Sequence, residues 1–260
     1  TEPVVAKAIE KSGVSRSEIF ITSKLRNAAH GYQATLEAFE GTLKQLGTDY
    51  LDLYLIHWPN PIQYRPIWKQ ATRETWRAFE ELYRQGRIRA IGVSNFLPHH
   101  MDMLMETATI QPMVDQLRLC PGVTQPEIVS YCKAHGITIE AYSPFGTGSV
   151  FHSESIQELS RKYGKTPGQI CLRWSIQMGF IPLPKSVTPA RISENLDIFD
   201  FSLSSEDVLK MSEPGNVLRG SVLATLHAKL LSGAEGVLLD LLGKLNDREA
   251  INAAAAYLGT

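Results

Sequence analysis

Short runs rich in β-branched and aromatic residues alternate along the chain with longer segments that are apolar on one face. A hydrophobic period of two marks strands and one near 3.6 marks amphipathic helices, so the pattern reads as β then α, repeated. Strand signals fall at 18–25, 52–58, 88–95, 113–119, 137–145 and 180–186, and helix signals at 33–46, 72–85, 125–135, 153–163 and 167–178. Gly47, Gly86 and Gly136 each stand just past a helix signal, where a residue able to take positive φ ends the helix. This order builds parallel sheet, because parallel neighbours need a crossover whereas antiparallel ones need only a hairpin. Six units suit either an open doubly wound sheet or part of a barrel. The end of the chain offers two more strands, 221–226 and 250–254, around a helix at 234–245, with an unstructured or helical tail as the alternative.

Composition narrows the picture. At 260 residues the chain suits one large α/β domain, and 43% apolar with 20% charged residues supplies an ordinary globular core. A net charge of −1 gives no basic field for nucleic acid, so no nucleic-acid partner is expected. Cys120, Cys132 and Cys171 are far apart in the sequence and form no CxxC or Cys/His cluster, which points to reduced core thiols and to no metal site. No run approaches the roughly 20 apolar residues of a membrane helix and no leader pattern opens the chain, so the expectation is no membrane partner and a cytoplasmic protein. Thr1 in place of Met leaves a processed or trimmed terminus open.

In a parallel βα barrel the chemistry sits where strand C-termini meet the following loops. Polar side chains recur there: Lys24 on the first strand, His57 and Trp58 on the second, Ser94 and Asn95 on the third, Gln116 on the fourth, Tyr142 and Ser143 on the fifth, and Lys185 and Ser186 on the sixth. Singly, each has a plain alternative, since a Ser caps the next helix, a lone His is satisfied in the core and a Lys snorkels. Six successive strands with polar residues at one end converge on one mouth, and that convergence is the stronger reading.

The stretches FITSKL at 20–25, DLYLIHWP at 52–59, IGVSNF at 91–96 and IPLPKSVTPARISEN at 181–195 resemble the aldo-keto reductase family, in its order and spacing. The resemblance implies a (β/α)8 TIM barrel forming one domain over 1–260, in which 1–213 follow the family. That family's first two units carry its catalytic Asp and Tyr, and the segment at 1–5 already resembles the helix after that Tyr. INAAAAY at 251–257 resembles the missing segment, so the expectation is a circularly permuted barrel, with 214–260 supplying the first two units and the natural ends joined near 214–219.

What the resemblance implies for function is NADPH-dependent reduction of a small-molecule aldehyde or ketone to an alcohol by a monomer. Tyr257 would donate the proton, Lys24 would ease ionisation of the phenol, and His57 would hydrogen-bond the substrate oxygen. Asn252 stands where the family has Asp and cannot supply its negative charge. Trp58 would form a substrate wall. Ser94, Asn95 and Gln116 would bind the nicotinamide carboxamide, Tyr142 would stack on its ring, and Ser143, Phe145 and Gly146 would approach the pyrophosphate. Lys185, Ser186, Val187 and Arg191 would meet the adenosine 2′-phosphate, with Glu194 and Asn195 near the adenine. Two cations and a hydroxyl so close in sequence suit a dianionic phosphate, hence NADPH/NADP+ over NADH. The alternatives are a catalytically impaired cofactor-binding barrel or engineered permutation scaffold, and a truncated barrel whose helical tail meets a partner.

Overall fold

The computed structural model describes residues 1–213. Their strands form one sheet in the order β1-β2-β3-β4-β5-β6, and the pairs β1/β2, β2/β3 and β3/β4 are parallel. The described residues fall into two compact units, Thr1–Leu117 with Pro126–Glu140, and Arg118–Gln125 with residues 141–213.

The first unit opens on helix α1 (Glu2–Ser12), and then alternates β1 (Thr22–Leu25), α2 (Tyr32–Leu46), β2 (Leu51–Ile56), α3 (Trp68–Arg84), β3 (Ile88–Ser94), α4 (Pro98–Met105), β4 (Val114–Arg118), α5 (Pro126–Ala134) and β5 (Thr138–Tyr142). All six residues of β2 are buried, as expected of a strand covered on both faces. Its faces differ in what they touch. Leu53 and Leu55 cluster with Val114, with Ala90 and Met113 packed against them. Tyr54 turns the opposite way, stacking on Phe79 of α3 at 4.8 Å and meeting Phe39 of α2 edge-on at 5.4 Å. Side chains alternate along a strand, so the odd positions of β2 belong to an inner row and the even ones to a helix-facing row.

Register carries that row across the sheet. Lys24 is level with Leu55, Leu55 with Gly92 and Gly92 with Val114. Gly92 is required where it stands, because a Cβ there would lie 2.5 Å from the carbonyl oxygen of Val114 and 2.8 Å from Leu55 Cδ2. The opposite ends of the strands are tied by Asp52, whose carboxylate accepts from Ile21 N at 2.9 Å and pairs with Arg16 and Arg89, each at 2.9 Å.

The second unit carries α6 (Glu154–Tyr163), α7 (Pro167–Gln177), β6 (Ile181–Leu183), α8 (Pro189–Leu196) and α9 (Ser205–Ser212). Trp174 is fully buried, and its indole N–H donates to Ser212 Oγ at 3.1 Å, which fixes α9 on α7. Ser204 caps α9 by accepting from Asp207 N at 3.2 Å.

The five helices expected from periodicity are present to within a few residues, and Gly47 and Gly136 hold the expected left-handed conformation at φ 66° each. Three strands are shorter than expected, and of these β5 ends at Tyr142, where Ser143 turns to φ 51° and Pro144 has no N–H. Residues 16–18 form a 3-10 turn in which Arg16 donates to Ile19 O and Tyr50 O, so regular pairing starts only at Thr22. At the other end Pro184 follows Leu183 and has no N–H for a ladder, so β6 stops at three residues. The hydrophobic pattern does not reveal α4, α8 and α9, each eight residues long and too short for a clear periodic signal. The described part is α/β with parallel sheet, as expected. The two units that would complete eight strands, and with them the permuted segment, fall on 214–260, outside the described residues.

Candidate active site

In the first unit the inner row turns polar at its C-terminal end. Lys24 lies near the end of β1, His57 directly follows β2, Ser94 ends β3 and Gln116 lies in β4, paired in register with Ser94. Backbone and side chain lock these positions together. Ser94 Oγ donates to Gln116 O at 2.8 Å. Asn95 N donates to the same oxygen at 3.1 Å, and Asn95 Nδ2 donates to His57 O at 3.0 Å and to Ser94 Oγ at 3.1 Å. Asn95 takes φ 61°, a left-handed conformation that Asn tolerates better than most residues, and this turn carries its amide across to β2.

Gln116 is 2% exposed and its Nε2 donates to Glu140 Oε2 at 2.7 Å. Glu140, itself 6% exposed, is not among the residues that the sequence pattern singles out. A signal is present nonetheless, since a carboxylate stands inside an otherwise apolar strand run, TIEAY.

Electrostatics couple the group. Burial pushes the Lys24 ammonium below the usual lysine range, and the Glu140 carboxylate draws it partly back. His57 is exposed at the rim, yet the protein around its ring lowers its pKa, and the Lys24 charge lowers it further. The imidazole is therefore neutral near pH 7, able to donate one hydrogen bond and accept another. The Trp58 ring lies 6.5 Å from that of His57, tilted by 39°.

The second unit holds a cavity of about 530 Å³ lined by Phe145, Lys185, Ser186, Val187, Arg191, Glu194 and Asn195, together with Phe151, Thr166, Pro167, Gly168 and Thr188. Seven residues expected at one ligand thus come together. Neither Lys185 nor Arg191 forms an ion pair with a described residue, so two cations face a cavity of nucleotide size. Glu194 is held by Thr166 Oγ1, which donates to it at 2.6 Å. Thr166 also caps α7: its Oγ1 accepts from Gln169 N at 3.3 Å, and Gln169 Oε1 accepts from Thr166 N at 3.0 Å. A helix N-terminus with its positive dipole end therefore borders the same cavity. The sequence shows this as TPGQ at 166–169, a capping box with Pro at the first helical position.

Tyr142, Ser143 and Gly146 do not line that cavity. Tyr142 ends β5, and Gly146 N donates to Ser143 O at 2.8 Å in a turn where Ser143 and Gly146 both have positive φ, 51° and 53°. Gly146 is buried against its own loop and Cys120, since a Cβ there would meet Ser149 Oγ at 2.7 Å and Cys120 Sγ at 3.2 Å. Its lack of a side chain answers to that packing. Cys120, Cys132 and Cys171 are all buried free thiols, as expected. Asn252 and Tyr257 lie outside the described residues.

The aldo/keto reductase family model matches residues 1–214. This chain belongs to the aldo/keto reductase family. It is 48% identical over 210 residues to the glyoxal reductase of Bacillus subtilis, across 81% of this chain and 73% of that one. A crystal structure of an aldo/keto reductase from Brucella melitensis superposes with a TM-score of 0.76 at 44% identity, covering 82% of this chain and 79% of that one. An aldo-keto reductase of Bombyx mori, solved in complex with NADP, gives 0.75 at 36% identity over 81% of this chain and 74% of its own. The family match ends at residue 214, so the expected circular permutation finds no support in it.

Proposed function

We propose that the chain is an NADPH-dependent reductase of small aldehydes and ketones, built on the (β/α)8 barrel of its family. The observation that carries this reading is the convergence of Lys24, His57, Ser94 and Gln116 on one face, at one end of four neighbouring parallel strands. The family membership, the glyoxal reductase relative and the NADP-bound relative support it.

Bound NADPH supplies the hydride. The chain's own part is to hold the nicotinamide and to stabilise the oxygen as negative charge builds there. The neutral His57 ring can donate a hydrogen bond to that oxygen. The proton comes from a phenol, the role assigned to Tyr257, and the Lys24 cation lowers the cost of ionising it. Ser94, Asn95 and Gln116 anchor the carboxamide, Tyr142 stacks on the ring, and Trp58 walls the substrate. Ser143, Phe145 and Gly146 follow the pyrophosphate. Lys185, Ser186, Val187 and Arg191 take the 2′-phosphate, and Glu194 and Asn195 take the adenine end. The two cations and the α7 N-terminus fit a phosphate-bearing nucleotide.

A second reading rests on Asn252 in place of the family's Asp: a barrel that binds NADPH but turns over poorly. Oxidation of NADPH followed by absorbance with glyoxal or 4-nitrobenzaldehyde separates the two. Turnover that is lost in Lys24→Met and raised in Asn252→Asp is the expected result. Tight NADPH binding without turnover in the parent chain would favour the second reading, and an unchanged rate in Asn252→Asp would count against the role assigned to that position. No helix of the described residues is long and apolar enough to cross a membrane.

A further inference from the structure

We infer that Glu140 is a positioning residue for the cofactor amide: it fixes which end of the Gln116 side-chain amide faces the nicotinamide. The inference rests on the NADPH reading above and deepens it. An ionised carboxylate only accepts hydrogen bonds, whereas a primary amide offers NH2 at one end and C=O at the other. Gln116 Nε2 donates to Glu140 Oε2 at 2.7 Å, so the amide is turned with its NH2 toward Glu140 and its Oε1 the other way. Both residues are almost fully buried, so water competes little with the bond.

No described residue donates to Gln116 Oε1. Its backbone oxygen is occupied separately, by Ser94 Oγ at 2.8 Å and Asn95 N at 3.1 Å, so strand pairing holds the backbone while Glu140 holds the side chain. The Glu140 carboxylate also raises the Lys24 pKa against the effect of burial. The outcome is an acceptor presented to an N–H of the ligand. It suits the carboxamide of nicotinamide, which carries NH2, and disfavours a carboxylate in the same place.

The pair of nucleotides that tests this is NADP+ and its nicotinic-acid analogue, which differ only in carboxamide against carboxylate. Affinities are measured by quenching of tryptophan fluorescence for the parent chain, Glu140→Gln, Gln116→Leu and the double variant. In the parent chain NADP+ binds tighter. In Glu140→Gln the partner amide can pair with either end of Gln116, and the preference for NADP+ drops about tenfold, the scale of one charge-assisted hydrogen bond. In the Gln116→Leu background the same substitution leaves the preference unchanged, which separates orientation of Gln116 from a simple loss of negative charge.

An unchanged preference in Glu140→Gln, or an equal drop with and without Gln116, overturns the inference. Tight, equal binding of both nucleotides by the parent chain overturns it while leaving the cofactor reading intact, whereas binding of neither overturns the cofactor reading and this one with it. Should Glu140→Gln not fold, the side-chain amide protons of Gln116 in the 15N-labelled parent chain give the answer. Slow exchange with solvent is expected, and fast exchange refutes a fixed amide.

Discussion

Asp115 sits between two inner-row residues of β4, Val114 and Gln116, and so faces the helix side of the sheet, level with Val93. It is fully buried, and neither carboxyl oxygen has a well-formed hydrogen bond. Burial pushes its pKa well above the usual carboxylate range, against only a weak opposing pull from the Phe96 N–H. The unfolded chain releases this proton near pH 4, while the folded chain retains it to higher pH. Stability therefore falls as pH rises from the unfolded pKa to the folded one, and is flat below. Asp115→Asn removes the titration and keeps the shape. An unpartnered buried polar group costs roughly 1–3 kcal/mol. The Asn amide keeps part of that cost, so the variant is expected to gain on the order of 1–2 kcal/mol at pH 7 and almost nothing at pH 4. Urea unfolding followed by fluorescence of the buried Trp76 and Trp174 at pH 4, 5.5, 7 and 8.5 reads the difference through the midpoint at constant slope. A difference that does not vary with pH, or an Asn variant less stable at pH 7 than at pH 4 relative to the parent, would refute the reasoning.

Asp52 titrates in the opposite sense. Burial opposes its charge, but the Ile21 N–H, Arg16 and Arg89 outweigh it and hold the carboxyl below its ordinary pKa. Its contribution is present above about pH 4 and is lost as pH falls toward the folded value. Asp52→Asn should cost roughly 1–3 kcal/mol at neutral pH, with the gap to the parent narrowing below about pH 4 in the same urea series. At the cavity of the second unit, replacing Lys185 and Arg191 by Ala should weaken NADP+ at least tenfold per cation and NAD+ far less. An equal loss for both nucleotides, by fluorescence titration, would sink the 2′-phosphate role.

Much of this architecture is legible in the amino-acid sequence itself. The strand Leu51–Ile56 and the stretch 91–94 of β3 are buried on both faces, so they announce themselves by composition, and the residue that follows each strand, His57 or Asn95, is polar because the loop begins there. The same logic singles out Lys24, His57, Ser94 and Gln116. Glu140 escapes it because its importance comes from a side chain on the neighbouring strand, a contact that no local pattern records. The wall formed by Phe151 and Thr166–Gly168 escapes for a similar reason: it is made by segments distant in sequence from 185–195. The strand β1 is shorter than its pattern suggests because Phe20, apolar and strand-like in sequence, is 65% exposed beside a turn governed by Arg16.

The inner row of the first unit changes character within a single step along β2, β3 and β4. Leu55 belongs to the apolar cluster and His57, two residues on, stands at the rim; Val114 and Gln116 repeat the step on β4. Scaffold and chemistry are therefore stacked as adjacent floors of one building. The upper floor can be refurnished for another substrate while Leu53, Leu55, Gly92 and Val114 stay in place beneath it, whereas a one-residue slip of any strand would exchange the tenants of both floors at once.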